Sequence, residues 1–196
     1  MSEPDRRAVT IAGHTGDIHT ARTGLESSDG AVRAAALGAL ERLGELTDPD
    51  LRAALNDLDT TVRRRAAEIA ATHPDVDLVR TLHDTDARVV EVAAWACGEQ
   101  ESNRDDVVEA LIALATEAGD ALVREAAVAS LGAIGDDRAI EVIIAACADK
   151  PAVRRRAVLA LAPFDGDQVE AAVDRALADR DWQVRQAAED LLRAQA

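Results

Sequence analysis

The residues able to do chemistry are few and scattered. Four histidines and two cysteines occur in 196 residues. His14, Asp17 and His19 make the one cluster of metal-ligand types. The two histidines are five apart, not the four that puts two imidazoles on one helix face, and Gly13 and Gly16 place a turn among them. His73 precedes one predicted helix and His83 follows another. Cys97 and Cys147 occupy apolar positions with no Cys-x-x-Cys or Cys–His spacing. They read as small buried hydrophobes, not as a disulfide, a thiolate metal set or a nucleophile. No Ser–His–Asp order, carboxylate pair or phosphate-cradling glycine loop is discernible. The expectation is no cofactor, no metal and no catalytic residue.

Arginine is the more regular candidate. Arg63-Arg64-Arg65 and Arg154-Arg155-Arg156 are runs that could contact phosphate. The chain nevertheless carries a formal net charge of −15, and Glu68, Glu91 and Glu125 interleave with the basic residues. Phosphate binding draws on net positive charge and weakens steeply with salt, so nucleic acid is disfavoured. Arg64 and Glu68, four apart on a helix surface, make a simpler pair.

These residues belong to a repeating unit. Asp29-Gly30-Ala31-Val32-Arg33-Ala34-Ala35-Ala36 recurs as Asp59-Thr60-Thr61-Val62-Arg63, as Asp120-Ala121-Leu122-Val123-Arg124 and as Asp181-Trp182-Gln183-Val184-Arg185. Looser copies start at Asp86, with Val90 in the arginine place, and at Lys150, with Lys in the aspartate place. The valines Val32, Val62, Val89, Val123, Val153 and Val184 are 30, 27, 34, 30 and 31 residues apart. A fixed period of this size marks a repeat array.

Each copy reads as a helix start. Asp three residues before Val is an N-cap. Apolar residues then follow at +4, +7, +8 and often +11, a helical stripe. We term this the B helix. Gly44, Gly98 and Gly135 are expected to end or follow copies of it. A preceding A helix opens at Asp48-Pro49, Pro74, Asp105, Asp136 and Asp167. The spacing predicts six antiparallel pairs at approximately 17–44, 48–72, 74–100, 104–134, 136–163 and 166–194. Residues 1–15 are expected as an N-terminal cap, a degenerate B helix, or a tail. Residues 1–196 then form a single repeat domain.

Hydrophobic residues are 48% of the chain, mostly Ala, Leu and Val, with one Phe, two Trp and no Tyr. No apolar run of membrane-spanning length and no cationic leader followed by an apolar stretch is visible, so a cytoplasmic protein is expected. Lys150 is the single lysine, so 21 of the 22 basic residues are arginine. An Asp-rich, Lys-poor surface suggests a halophile. At about 1 M salt the Debye length is about 3 Å, so partner choice would rest on short-range contacts.

The Asp-x-x-Val-Arg-x-x-Ala-x-x-x-Leu pattern at about 30 residues resembles HEAT repeats, most closely the short type associated with phycobilisome lyase subunits. The resemblance spans roughly residues 17–194. It implies an all-α fold: a right-handed α-solenoid of about six HEAT-like helix pairs plus an N-terminal capping helix. It also implies a protein-binding scaffold whose B helices line a concave face. Val90 and Lys150 depart from the pattern, so an Asp/Arg ladder should be interrupted at those two points.

Two site expectations follow. Arg33, Arg63, Arg124, Arg154 and Arg185 form a structural ladder with Asp29, Asp59, Asp120 and Asp181 or with loop carbonyls, which a planar guanidinium suits. The +2 and +6 positions of the B helices share one face. Trp95 and Leu159 stand out there among small or polar neighbours, and Trp and Arg are favoured interface anchors. The candidate groove is Trp95 with Glu91, Glu125, Arg155, Leu159 and Arg64. Trp182 is expected to cover a turn. The functional expectation is a non-catalytic scaffold binding an unidentified protein or peptide, itself a monomer or weakly self-associating. The alternatives are a lyase-type or other enzyme accessory subunit and a nucleic-acid binder.

Overall fold

The computed structural model describes residues 4–195. Among them there are twelve α-helices, two short 3-10 turns and no strand. They group into two compact units that divide between Thr81 and Leu82.

The first unit holds α1 (Arg6–Thr15), α2 (Ile18–Gly24), α3 (Gly30–Leu43), α4 (Asp48–Ala54) and α5 (Thr60–Ala70). In it α1, α3 and α5 pack side by side as B helices, with α2 and α4 as the A layer behind them. The second unit holds α6 (Ala87–Glu99), α7 (Asp105–Glu117), α8 (Ala121–Ile134), α9 (Ile140–Ala146), α10 (Pro151–Ala160), α11 (Asp167–Leu177) and α12 (Trp182–Gln195). There α6, α8, α10 and α12 form the B layer, and α7, α9 and α11 the A layer. The expected N-terminal cap is α1, which packs on α3; residues 1–3 lie outside the description.

The helix starts follow the aspartates. Asp29, Asp59, Asp86, Asp120 and Asp181 each accept from the backbone N–H two residues on, at 2.7–2.9 Å. Such a cap contributes about 1 kcal/mol. At α10 Lys150 makes no side-chain cap, and Pro151 at the first helical position has no N–H to satisfy. The six repeat valines are buried, and so is alanine four residues after each: Ala36, Ala66, Ala93, Ala127, Ala157 and Ala188. One small residue per turn at the contact lets B helices approach toward the ~8 Å end of helix spacings.

Two expectations fail. No A helix opens at Pro74. Residues 73–80 run through turns, followed by a 3-10 turn at Thr81–His83. The connection, residues 71–86, is as long as residues 44–59, which hold α4; the 27-residue spacing instead reflects the shorter α5, Thr60–Ala70 against Gly30–Leu43 in α3. Val76, Leu78 and Leu82 still bury, so the stretch fills the core without a helix. Gly98 also does not end its helix. It lies inside α6, and a Cβ there would stand 2.9 Å from Ser130 Cα and 2.8 Å from Ser130 Oγ. Its missing side chain admits α8, and Ser130 Oγ donates to the Ala94 carbonyl at 2.6 Å. Gly44 and Gly135 do end α3 and α8, both in the left-handed region.

Candidate functional site

The arginine after each repeat valine faces the turn between A and B helices. Arg33 Nε and Nη2 donate to the two Asp57 carboxylate oxygens at 2.8 and 2.7 Å. Arg124 does the same to Asp149 at 2.6 and 2.8 Å, and Arg154 to Asp179 at 2.9 and 2.8 Å. In each case Nη1 donates to a turn carbonyl: Ser27, Ala118 and Asp149 respectively. Arg63 and Arg185 Nη1 donate to the Asp57 and Asp179 carbonyls at 3.0 and 2.7 Å.

The acidic side of this ladder therefore differs from expectation. Asp29, Asp59, Asp120 and Asp181 cap their own helices through the backbone N–H two residues on. The partners are Asp57, Asp149 and Asp179, just upstream of the caps. Asp57 and Asp179 also accept from the backbone N–H of Asp59 and Asp181, so one carboxylate both shapes the turn and holds the previous repeat. Hydrogen bonds from the arginines hold all three below the usual carboxylate range, against burial. Lys150 does not interrupt the ladder, because Asp149 supplies the acceptor. Val90 does: it is buried and has nothing to donate.

The open face of the B layer in the second unit carries the expected tryptophan. Trp95 is 42% exposed and Leu122, on the next B helix, is 54% exposed. They line a pocket of about 410 Å³ with Glu91, Glu125, Ala129 and Arg156. Arg156 Nε is buried with no hydrogen-bond partner and lies 3.7 Å from Glu125 Oε1. Three of the expected groove residues, Trp95, Glu91 and Glu125, are thus brought together. Arg155 and Leu159 do not line this pocket. The wall from α10 is its +3 residue, Arg156, and α8 adds its −1 residue, Leu122. Restricting the face to +2 and +6 drew it too narrowly, since a helix presents a stripe more than 100° wide. Arg64 lines a different pocket, in the first unit. Its expected partner Glu68 is taken by Arg65 at 2.8 Å. Trp182 stands largely exposed.

Several of the remaining chemical residues have structural roles. Asp17 caps α2 through the N–H and hydroxyl of Thr20. Among the described residues no three His, Cys, Asp or Glu side chains come together as a metal set. Cys97 is 1% exposed, and burial pushes the Cys147 thiol up to about 11. One polar cluster was missed. His73 bridges Glu41 Oε2 at 3.0 Å from Nε2 and Asp48 Oδ1 at 3.1 Å from Nδ1. It ties the end of α3 to the start of α4, and no local spacing announces it.

Comparison with known proteins agrees with this architecture. The HEAT repeats family matches residues 76–162 and 108–193, together more than half of the chain. No curated protein matches the sequence. Among solved structures, YibA of E. coli is similar at TM-score 0.73 and 18% identity, over 95% of this chain and 74% of that one. An engineered protein is similar at TM-score 0.65 and 20% identity, over 97% of this chain and 61% of that one. At such identities the likeness carries the fold alone, a helical-repeat solenoid. With its capped B helices, buried Val–Ala stripe and repeated Arg–Asp clasps, the chain belongs to the HEAT-repeat family.

Proposed function

We propose that this chain is a non-catalytic scaffold that binds a peptide segment of another protein on its B-helix face, at the pocket of Trp95. The observation that carries this reading is the half-exposed indole. The B helices are built from alanine, valine and leucine turned inward, whereas Trp95 lies outside that buried core, 42% exposed. It stands instead beside the exposed Leu122 with Glu91 and Glu125 at the same pocket. An indole face next to carboxylates suits an apolar side chain flanked by Lys or Arg, through burial and cation–π contact. The roughly 30-residue period supports placing the chain among the short, phycobilisome-lyase-like HEAT proteins. The Asp-rich, nearly lysine-free composition supports a high-salt cytosol, in which such short-range contacts outlast charge steering. A thiol-based lyase role finds no support in Cys97, which is buried, or in Cys147, whose thiol is held protonated at neutral pH.

The test is panning of a random displayed peptide library against the wild type and Trp95→Ala, with circular dichroism on both. Enrichment of an apolar residue next to Lys or Arg on the wild type, lost on the folded variant, supports the reading. Equal enrichment on both proteins, or none on either, overturns it.

A further inference from the structure

A second pocket lies in the first unit, where α1, α3 and α5 sit side by side, and encloses about 360 Å³. Its charged lining is Arg6, Arg42, Arg64 and Arg65 against Glu68 alone. Four positive charges less one leave a local excess of three, in a chain whose formal net charge is −15.

The arginines of this pocket are in two states. Arg65 already holds a carboxylate, that of Glu68 at 2.8 Å. Its guanidinium lies across Gly38, where a Cβ would stand 2.7 Å from Nη2. Arg42 lies across Gly13 in the same way, with a Cβ position 2.8 Å from Nη1. The two glycines therefore let α3 and α5 lay a guanidinium over the neighbouring helix. Arg6, Arg42 and Arg64 form no ion pair among the described residues, whereas Arg33, Arg124 and Arg154 at the turn edge are each clasped by aspartate.

We infer that this pocket takes a carboxylate-rich peptide segment of a partner protein, with Arg6, Arg42 and Arg64 each receiving an acidic side chain as Arg65 receives Glu68. The inference deepens the peptide-scaffold reading and rests on it. Spacing decides between a peptide and a compact anion. Arg6, Arg42 and Arg64 stem from three adjacent helices, whose axes lie about 8–10 Å apart, and Gly13, over which Arg42 reaches back, stands seven residues from Arg6 on α1, about 10 Å along its axis. One phosphate cannot span them. In an extended peptide, side chains on one face recur every ~7 Å, which matches. Planar forks favour carboxylate partners, and ion pairs of this kind strengthen where the pocket wall displaces water.

The experiment is fluorescence anisotropy of labelled octaglutamate with the full chain, at low and rising salt. The expected result is saturable binding to the wild type, weakened about ten-fold or more in Arg6→Gln/Arg64→Gln. Arg7→Gln/Arg180→Gln makes the same change in charge at exposed arginines outside the pocket and should shift affinity less than about two-fold. Trp95→Ala should bind octaglutamate as the wild type does. No binding, equal weakening by both arginine pairs, or displacement by equimolar inorganic phosphate overturns the inference. Failure of the library selection at Trp95 with octaglutamate binding intact leaves this pocket standing and removes only the tryptophan reading. All four arginines are exposed, and circular dichroism verifies each variant's fold.

Discussion

The turn edge and the open B-helix face are built from the same repeats and behave differently. At the turn edge the chemistry is copied. Arg33, Arg124 and Arg154 each grip an aspartate in the next repeat and a carbonyl in their own turn. On the open face only the positions are copied. Within the first unit the middle helix offers Ala31, Ala34 and Gly38 at −1, +2 and +6. Within the second unit the corresponding residues are Leu122, Glu125 and Ala129. The following helix supplies arginine at +3 in both, Arg65 and Arg156. Where the +2 neighbour is Ala34, Arg65 turns to Glu68 on its own helix and the pocket stays basic. Where it is Glu125, Arg156 leans toward it and the pocket is left to Trp95. A solenoid keeps constant what joins one repeat to the next and varies what faces outward.

The contrast breaks first, and hardest, at Arg154. The residue is 6% exposed, and its loss leaves Asp179 half-desolvated without its partner. Removing one member of such a pair is strongly destabilising, and Arg154→Ala should cost about 3 kcal/mol in urea unfolding. Arg156→Ala, on the open face of the same helix, should cost below about 1 kcal/mol, because its Nε has no hydrogen bond to lose and its ion pair is long. Equal losses at the two sites would erase the distinction between joining and facing residues.

A second test sharpens the contrast at the opposite edge, where B helices hand over to A helices. Burial of His73 alone would lower its pKa, but hydrogen bonds to Glu41 and Asp48 and their charges outweigh it, and the net shift is upward from the ordinary 6.5. Protonated His73 therefore stabilises the fold. That contribution is fully present below the unfolded-state value and is lost as pH rises through the higher folded value. Thermal melts of the wild type should lose more stability across that window than those of His73→Gln. Parallel curves for the two proteins would show that the imidazole is a neutral spacer.

What could be read from the residues beforehand follows the same division. The Val–Ala stripe and the capping aspartates announce themselves because each acts within one helix. The clasp partners Asp57 and Asp179 escaped notice because they act 24 or 25 residues away, across two helices. Their signal was present: Asp57-Leu58-Asp59, Asp84-Thr85-Asp86 and Asp179-Arg180-Asp181 repeat an Asp-x-Asp pair in which only the second aspartate is needed for capping. The missing third A helix was not signalled by the 27-residue interval before Val89, since that interval shortens α5 and leaves a connection as long as the one that holds α4. The pockets were half legible. Trp95, Glu91 and Glu125 share a helical face that counting finds, while Arg156 and Leu122 enter from adjacent helices by an offset set only in packing. Arg6 and Arg42 could not be joined to Arg64 at all until α1, α3 and α5 were laid side by side.

The smallest expected effect lies where the turn edge departs from its own pattern. Lys150 has the extended backbone of a cap residue, φ −63° and ψ 154°, but no side chain able to cap. In Lys150→Asp the new carboxylate would reach the N–H of Ala152, as Asp120 reaches Leu122. A good cap in this setting contributes about 0.5–1 kcal/mol. One neighbour opposes it. Asp149 lies next door, and Lys150 at present helps to hold its carboxylate low. Asp149 also keeps its two bonds to Arg124, so the added repulsion falls on a carboxylate already neutralised. A small rise in melting temperature would show that capping and clasping are independent, each repeat closing its own helix and gripping its neighbour through separate carboxylates. A fall would mean that the lysine is itself part of the clasp, and that the fifth repeat has exchanged its cap for a countercharge to Asp149.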